Sequence, residues 1–204
     1  GGLGGYFAAK TLTITDCINN GTVTANKYQG ELVAYSTLEG GSIPSESVAA
    51  RIDSTYYETL QDAVDAAQTG DTVTLLKNYT VATAKETEYN LPNEATLDLN
   101  QKTLTVPFMT AIFQSTENGT AAIKNGNVVS NADYALWIGG GTNYPTKIIV
   151  DNVNVTGGIN VYAANAELNN VNVDASEKDY YAVWGDEGAD ILINSGTYTG
   201  GKNT

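Results

Sequence analysis

The sequence predicts an all-β fold, a right-handed parallel β-helix, with one short N-terminal capping α-helix at about residues 56–69. The first supporting observation is a short motif repeated along the chain, in which an aliphatic residue is followed by Asn one to three positions later. The lead aliphatic residues are spaced 24, 24, 27, 18 and 25 positions apart. They are Leu75, Leu99, Ile123, Val150, Leu168 and Ile193. A near-regular period of this length is typical of a solenoid, in which each coil buries its apolar face by stacking on its neighbours.

Two further observations favour strands over helix pairs. Apolar and polar residues alternate within the repeats, as in Leu97-Asp-Leu99 and Val153-Asn-Val155, and a period of two is strand behaviour. A second series places an aromatic residue at a similar phase of successive repeats, with spacings of 24, 25 and 22. Its members are Phe113, Trp137, Tyr162 and Trp184. Two series that keep step with each other are unlike a chance pattern.

The Asn that follows each lead aliphatic residue has a structural explanation. Stacked Asn side chains at the corner of a β-helix can hydrogen-bond from coil to coil, and Asn tolerates the left-handed backbone that such corners need. We therefore interpret the Asn-rich positions as a structural ladder in preference to a row of ligand-binding groups.

The N-terminal part, residues 1–50, forms the first predicted domain. Leu3-Gly-Gly-Tyr6 returns as Leu32-Val-Ala-Tyr35, and a segment containing Asp16-Cys17-Ile18 turns at Asn20-Gly21. These residues resemble the GLUG-type repeats of bacterial surface proteins, which could add coils to the solenoid. A Pro- and Ser-containing run near residue 44 separates them from the second domain, the β-helix with its capping helix at 51–204.

The capping helix is predicted from an amphipathic stripe. Leu60, Ala63, Val64 and Ala67 fall at i, i+3, i+4 and i+7. Thr55 with Glu58, or Thr59 with Asp62, would begin the helix as a capping box, and Gly70 would end it. A helix this short is unstable alone, so we expect it to plug the lower end of the solenoid at Asp71–Leu76.

The segment from Tyr57 to Leu76, together with Ala95-Thr-Leu-Asp-Leu-Asn-Gln-Lys-Thr-Leu104, resembles the opening of pectin-lyase-like β-helix domains of bacterial extracellular proteins. The resemblance covers residues 56–200 and implies the fold and an extracellular or cell-surface location. That superfamily includes lyases, hydrolases, tailspikes and adhesins, so it does not imply one activity. The chain stops soon after Asp190–Tyr198 begins another coil, and we expect further coils or domains to follow in the parent protein.

Composition excludes several classes of function. The 204 residues carry 10 Lys and Arg against 23 Asp and Glu, a net charge of −13, which argues against nucleic acid and anionic membranes as partners. The chain has no His and a single Cys, so a His-based acid or base is excluded. No apolar run has the length of a membrane span.

The residue sets that catalyse reactions on this fold are incomplete. A lyase needs an Arg or Lys base and charge compensation for the uronate; the one arginine is Arg51, and Lys77, Lys102, Lys124 and Lys147 have the spacing of ordinary surface lysines. A hydrolase of the polygalacturonase type would use several Asp, for which Asp98, Asp151 and Asp174 are the candidates, but its His and Arg-x-Lys are missing. We therefore assign no catalytic residues.

The predicted function is a non-catalytic, extracellular β-helix segment of a bacterial surface protein that acts as an adhesin or contacts glycans or another surface polymer. Phe113, Trp137, Tyr162 and Trp184 are the candidate sugar-stacking residues. The alternatives are a polysaccharide lyase or glycoside hydrolase acting on acidic polysaccharide, and a structural spacer without ligand. We expect no obligatory cofactor; calcium could bind the acidic cluster of Glu177, Asp179, Asp186, Glu187 and Asp190, although no known calcium-loop spacing is present.

Overall fold

The computed structural model describes residues 48–83, 86–107, 110–115, 119–139 and 146–202. Helix α1 spans Leu60–Ala66. The strands are β1 (Ala50–Ile52), β2 (Thr55–Tyr57), β3 (Thr72–Leu75), β4 (Tyr79–Thr80), β5 (Glu88–Leu91), β6 (Thr96–Asp98), β7 (Thr103–Val106), β8 (Ala111–Ser115), β9 (Thr120–Gly139), β10 (Lys147–Tyr162), β11 (Asn165–Asn169), β12 (Val171–Asp174), β13 (Val183–Asp186), β14 (Asp190–Ile193) and β15 (Gly196–Thr199). The predicted GLUG-like repeats at 1–50 lie almost entirely outside the described residues.

The strands from β3 onward form three parallel ladders that run along one axis. The first ladder joins β3, β6, the starts of β9 and β10, β11 and β14. The second joins β4, β7, the middles of β9 and β10, β12 and β15. The third joins β5, β8, the ends of β9 and β10, and β13. Each coil contributes one strand to each ladder, so the chain is a parallel β-solenoid of about five turns, which confirms the predicted fold class.

The core is a set of aliphatic columns along the axis, produced by the alternation of inward and outward residues. In the first ladder Val73, Leu97, Ile123, Val150 and Leu168 are in register, and all five side chains are fully buried. Each side chain packs on its equivalents one coil above and below, which is how a solenoid buries apolar surface without a single globular core.

The series of lead aliphatic residues predicted from the sequence is two residues out of register in its first two members, Leu75 and Leu99. Leu75 and Leu99 are buried, but Val73 and Leu97 are the residues in register with Ile123. The reason is a longer corner in the second coil, where four residues separate Asp98 from Thr103 and only two separate the equivalent positions of β9. Asn100 and Gln101 both adopt positive φ there, at 49° and 61°.

The Asn-rich corner forms the predicted ladder. Asn170 Nδ2 donates to Asn152 Oδ1 at 3.0 Å, and Asn152 Nδ2 donates to Asn125 Oδ1 at 3.3 Å. Asn125 in turn donates to the carboxylate of Asp98. The three Asn residues have φ between 49° and 59°, the left-handed conformation that Asn tolerates better than most residues. The structural interpretation of this repeat is confirmed.

A second row of hydrogen-bonded amides, which we call the outer amide row, runs beside this Asn-rich corner. It lies on the outer surface of the second strand ladder. Asn172 Nδ2 donates to Asn154 Oδ1 at 2.9 Å, Asn154 Nδ2 donates to Asn127 Oδ1 at 3.0 Å, and Asn127 Nδ2 donates to Thr103 Oγ1 at 3.3 Å. Each amide uses one donor and one acceptor along the axis, so the rows hold successive coils in register.

The N-terminal end of the solenoid is closed by a strand pair together with the helix. Strand β1 pairs antiparallel with β3 on one side and with β2 on the other. It therefore occupies the hydrogen-bonding edge that the first coil would otherwise expose. Helix α1 places Leu60, Ala63 and Val64 in the core, as the amphipathic stripe predicted.

The helix is shorter than the predicted range of about 56–69. Residues 55–57 form β2, because pairing with β1 satisfies their backbone groups. The helix begins after Thr59, whose Oγ1 accepts from the Asp62 N–H at 3.0 Å, so the second of the two predicted caps is the one used. It ends at Ala67, in extended conformation, and Gly70 takes a positive φ of 82° three residues later.

The other end of the described solenoid is uncovered. Ile193 is in register with the buried Leu168, yet 48% of its surface is exposed, and Leu192 is 53% exposed.

Among the described residues no helix is long and apolar enough to cross a lipid bilayer.

Candidate functional site

The third ladder places three of the four predicted aromatic residues on the surface. Trp137 and Tyr162 are half-buried, and Trp184 is 40% exposed. Phe113 differs, because it pairs with Ile138 and not with Trp137. A shift of one residue turns a strand side chain to the opposite face. Phe113 therefore lies in the core, where its ring stacks on Tyr89 with centroids 4.9 Å apart.

The outer surface of the third ladder consists of two columns of side chains, which we call the aromatic face. The first column contains Glu88, Ile112, Trp137, Asn160 and Trp184. The second contains Asn90, Gln114, Gly139, Tyr162 and Asp186. Neighbouring members of a column are separated by one coil, about 4.8 Å.

A groove lies between these columns, with Gly139 among its lining residues. A Cβ at this position would overlap the backbone carbonyl of Tyr162, and its φ of 96° is one that side chains rarely allow. The groove has a volume of about 310 Å³ and is lined by Glu88, Ile112, Gln114, Trp137, Gly139 and Tyr162. The rings of Trp137 and Tyr162 flank it with centroids 6.0 Å apart and planes inclined by 44°.

The polar residues at the lower end of the groove are held in place. Gln114 Nε2 donates to Asn90 Oδ1 one coil below, which orients the amide. The groove therefore combines two aromatic rings with an oriented amide and the Glu88 carboxylate. The rings suit the apolar C–H face of a sugar, and the amide and carboxylate suit its hydroxyl groups.

A second ring pair lies two coils above Trp137. Tyr181 and Trp184 stack with centroids 5.2 Å apart and an interplanar angle of 27°, and they are 47% and 40% exposed. Tyr134 and Tyr180 form a neighbouring pair with centroids 5.4 Å apart. Partial burial raises the pKa of Tyr134, with smaller contributions from Tyr180 and the negative charges of Asp133 and Asp186. These four rings form an exposed aromatic patch of the kind that marks binding surfaces.

Asn160 lies between the two tryptophans in the first column. Its side chain is 5% exposed, and its Oδ1 is buried without a hydrogen-bond partner. Buried polar atoms in folded proteins are nearly always paired. This amide lies one coil from Trp137 and one coil from Trp184, so the unpaired oxygen belongs to a residue of the aromatic face.

The charges of the aromatic face are negative. Its described strand segments carry Glu88 and Asp186 and neither Lys nor Arg. Lys178, from the loop before β13, is engaged elsewhere, because its Nζ donates to the carbonyls of Ser130 and Asn131 at 3.2 and 3.0 Å.

The acidic residues considered for hydrolysis do not converge on one site. Asp98 and Asp151 lie on the first ladder with Lys124 between them in register, whereas Asp174 lies at the end of β12 on the second ladder. Hydrogen bonds from Ser176 lower the pKa of the exposed Asp174 carboxyl, which is opposite to what a general acid requires.

The lysines considered as lyase bases lie on the first ladder or at the corner that follows it. Lys147 pairs with Glu167 at 2.7 Å on the first ladder, and this bond with Lys147 is the main cause of a lowered Glu167 pKa. Lys77 and Lys102 lie at the corners between the first and second ladders.

The acidic cluster considered for calcium divides into two parts. Glu177 pairs with Lys202 at 2.5 Å, while Asp186, Glu187 and Asp190 lie at the corner between β13 and β14. Within the described ranges, no three acidic or sulfur- and imidazole-bearing side chains are grouped so that they could hold a metal ion.

Sequence reasoning missed Gln114, Gly139 and Asn160 of the aromatic face, and also Tyr181, which stacks on Trp184. The available signals were weak. Asn160 is a polar residue at an outward position between the apolar Ile159 and Val161, and Gly139 lies two residues after Trp137 of the aromatic series.

No protein-family model, curated protein or solved structure matches this chain. The assignment of a function therefore depends on the geometry of the aromatic face.

Proposed function

We propose that this chain is a non-catalytic, glycan-contacting β-helix segment of an extracellular bacterial surface protein, of the pectin-lyase-like type that residues 57–76 and 95–104 resemble. The observation that carries the glycan part is the groove bounded by Trp137 and Tyr162, with the Gln114 amide at its lower end. Aromatic ring faces pack on the apolar C–H faces of sugars, while oriented amides and carboxylates pair with hydroxyl groups.

The extracellular location and the adhesive role rest on other observations. They follow from the resemblance to extracellular repeat proteins and from an acidic, hydroxyl- and amide-rich surface with a net charge of −13. The separation of Asp174 from Asp98 and Asp151, and the lowered pKa of Asp174, favour binding over catalysis.

Tryptophan fluorescence tests the proposal directly. The chain has two tryptophans, so in a Trp184→Phe variant the emission reports Trp137 alone. We expect its emission to change on titration with a ligand found by screening a glycan array. Trp137→Ala should weaken binding of that glycan about tenfold or more, which corresponds to about 1.4 kcal/mol.

The matched control is Tyr56→Ala, which removes a partly buried ring from β2 at the far end of the solenoid. It should leave the affinity unchanged. If no glycan on the array binds, the chain is better described as a structural spacer. If a uronate polymer is cleaved to unsaturated or reducing-end products and Asp151→Ala abolishes this, the chain is an enzyme and the proposal is wrong.

A further inference from the structure

We propose that the aromatic face is a continuous track for a linear oligosaccharide that carries protonated amino groups, running along the solenoid axis from the groove at Trp137 past Asn160 to Trp184. This inference rests on the proposed function and adds to it the direction, the length and the charge class of the ligand.

The direction follows from the register of the two ring pairs. Trp137, Asn160 and Trp184 occupy the same column on three successive coils, so the two indoles are about 10 Å apart at a coil spacing of about 4.8 Å. Tyr162 flanks the lower indole and Tyr181 stacks on the upper one. An extended pyranose chain laid along this column meets an aromatic surface at both ends of a stretch longer than one sugar.

Asn160 supplies a polar group between the two aromatic ends. Its Oδ1 has no partner within the protein, so the amide loses no internal bond at Oδ1 when it rotates about χ2 towards the surface. A ligand hydroxyl or ammonium group positioned between the two indoles would then donate to this oxygen. Pairing a previously unpaired buried carbonyl favours the bound state.

The charge class follows from the residues that border the track. Glu88 lines the lower groove, and Asp186 is in register with Tyr162 beside the upper end. The described strand segments of the face contain no cation, and Lys178 is bound to backbone carbonyls of β9. Ammonium groups near the lower end of the ligand gain from Glu88, those near its upper end gain from Asp186, and those over the indole faces gain from cation–π attraction. A uronate carboxylate is repelled by the same groups.

The test compares three hexasaccharides of equal length with the full chain in mildly acidic, low-salt buffer, by calorimetry. They are fully deacetylated glucosamine, fully N-acetylated glucosamine and galacturonate. We expect the deacetylated hexamer to bind about tenfold more tightly than the acetylated one, with the preference reduced at high salt. We expect the galacturonate hexamer to bind most weakly.

Variants separate charge from stacking and length. Glu88→Gln combined with Asp186→Asn should lower the affinity for the deacetylated hexamer more than the affinity for the acetylated one, and so reduce the preference. Asp151→Asn, on the first ladder, is the matched control and should preserve the preference. Trp184→Ala should weaken binding of the deacetylated hexamer several-fold but leave binding of the deacetylated glucosamine disaccharide, measured in the same way, unaffected, because a disaccharide is too short to span both indoles.

The outcomes distinguish the inference from the proposed function. If the galacturonate hexamer binds as tightly as the deacetylated one, or if the charge variants leave the preference intact, the cationic track is wrong while glycan binding stands. If Trp184→Ala leaves hexamer affinity unchanged, the track does not extend to the upper rings. If none of the three hexamers binds the chain, the inference is overturned, whereas the proposed function is decided by the glycan array.

Discussion

Leu99 and Gly126 are complementary neighbours at one corner of the solenoid. The buried Leu99 side chain occupies the space that a side chain on Gly126 would need, since a Cβ there would lie 2.5 Å from Leu99 Cβ and 2.6 Å from the Lys102 carbonyl. The longer second coil places Leu99 inside the corner, and the next coil compensates by having no side chain there.

Gly126→Ala should therefore destabilise the protein by about 1–3 kcal/mol, because the added methyl overpacks a corner bounded partly by backbone. Urea unfolding followed by circular dichroism measures the change. Thr72→Ala, at an exposed position of β3, is the control and should stay within about 0.5 kcal/mol of the parent. Equal stability of the two variants would show that the corner can relax.

Asn154→Ala should lower the free energy of unfolding by about 0.5–1.5 kcal/mol. The substitution removes the middle of the outer amide row and breaks its bonds to Asn127 and Asn172. Chemical denaturation gives the value. Asn165→Ala removes a partly buried amide of β11 that lies outside both rows, and it should cost less; the reverse order would mean that the rows do not stabilise the coil stack.

The phenol of Tyr79 should make stability fall at high pH. Burial, followed by a hydrogen bond to the Glu86 carboxylate at 2.9 Å, raises the pKa of Tyr79 from 10.0 to about 12. A raised pKa means that the unfolded chain loses this proton first, so the stabilisation is complete below pH 10 and is lost as the pH rises towards 12. Unfolding curves from pH 9 to 12 measure this, and Tyr79→Phe should flatten the decline.

Tyr89→Phe should stabilise the protein at neutral pH, by up to about 1 kcal/mol. The Tyr89 hydroxyl is buried without a hydrogen-bond partner, so its removal ends a desolvation cost while the ring keeps its stacking on Phe113. Burial also raises the pKa of this phenol above its ordinary value, so the variant should resist alkali better. A loss of stability at pH 7 would reveal an ordered water bound to the hydroxyl.

Lys178→Met should loosen the loop between β12 and β13 without unfolding the coils. The Lys178 ammonium holds this loop against the carbonyls of Ser130 and Asn131, and the loop carries Tyr180 and Tyr181. Limited proteolysis should cut the variant faster within residues 175–182. Lys202→Met, which removes only an exposed ion pair with Glu177, should leave the cleavage rate unchanged.

The repeat period and the alternation within it predicted the solenoid correctly, because both are local consequences of strands that stack coil upon coil. The helix was predicted from its stripe, but its start was placed too early. Residues 55–57 have a β-strand partner in β1 that lies outside any local window. The two-residue displacement of Leu75 and Leu99 has a similar cause, since the length of a corner is set by how it packs on the next coil.

The sequence by itself determined the coil, its amide-lined corner, its acidic surface and the absence of a His-based catalytic set. Only the tertiary structure decided that Phe113 faces inward while Trp137 faces outward, because one residue of phase reverses the direction of a strand side chain. It also decided that a groove forms beside Trp137 and Tyr162. That groove joins side chains from four successive coils, and their approach depends on the register of the whole ladder.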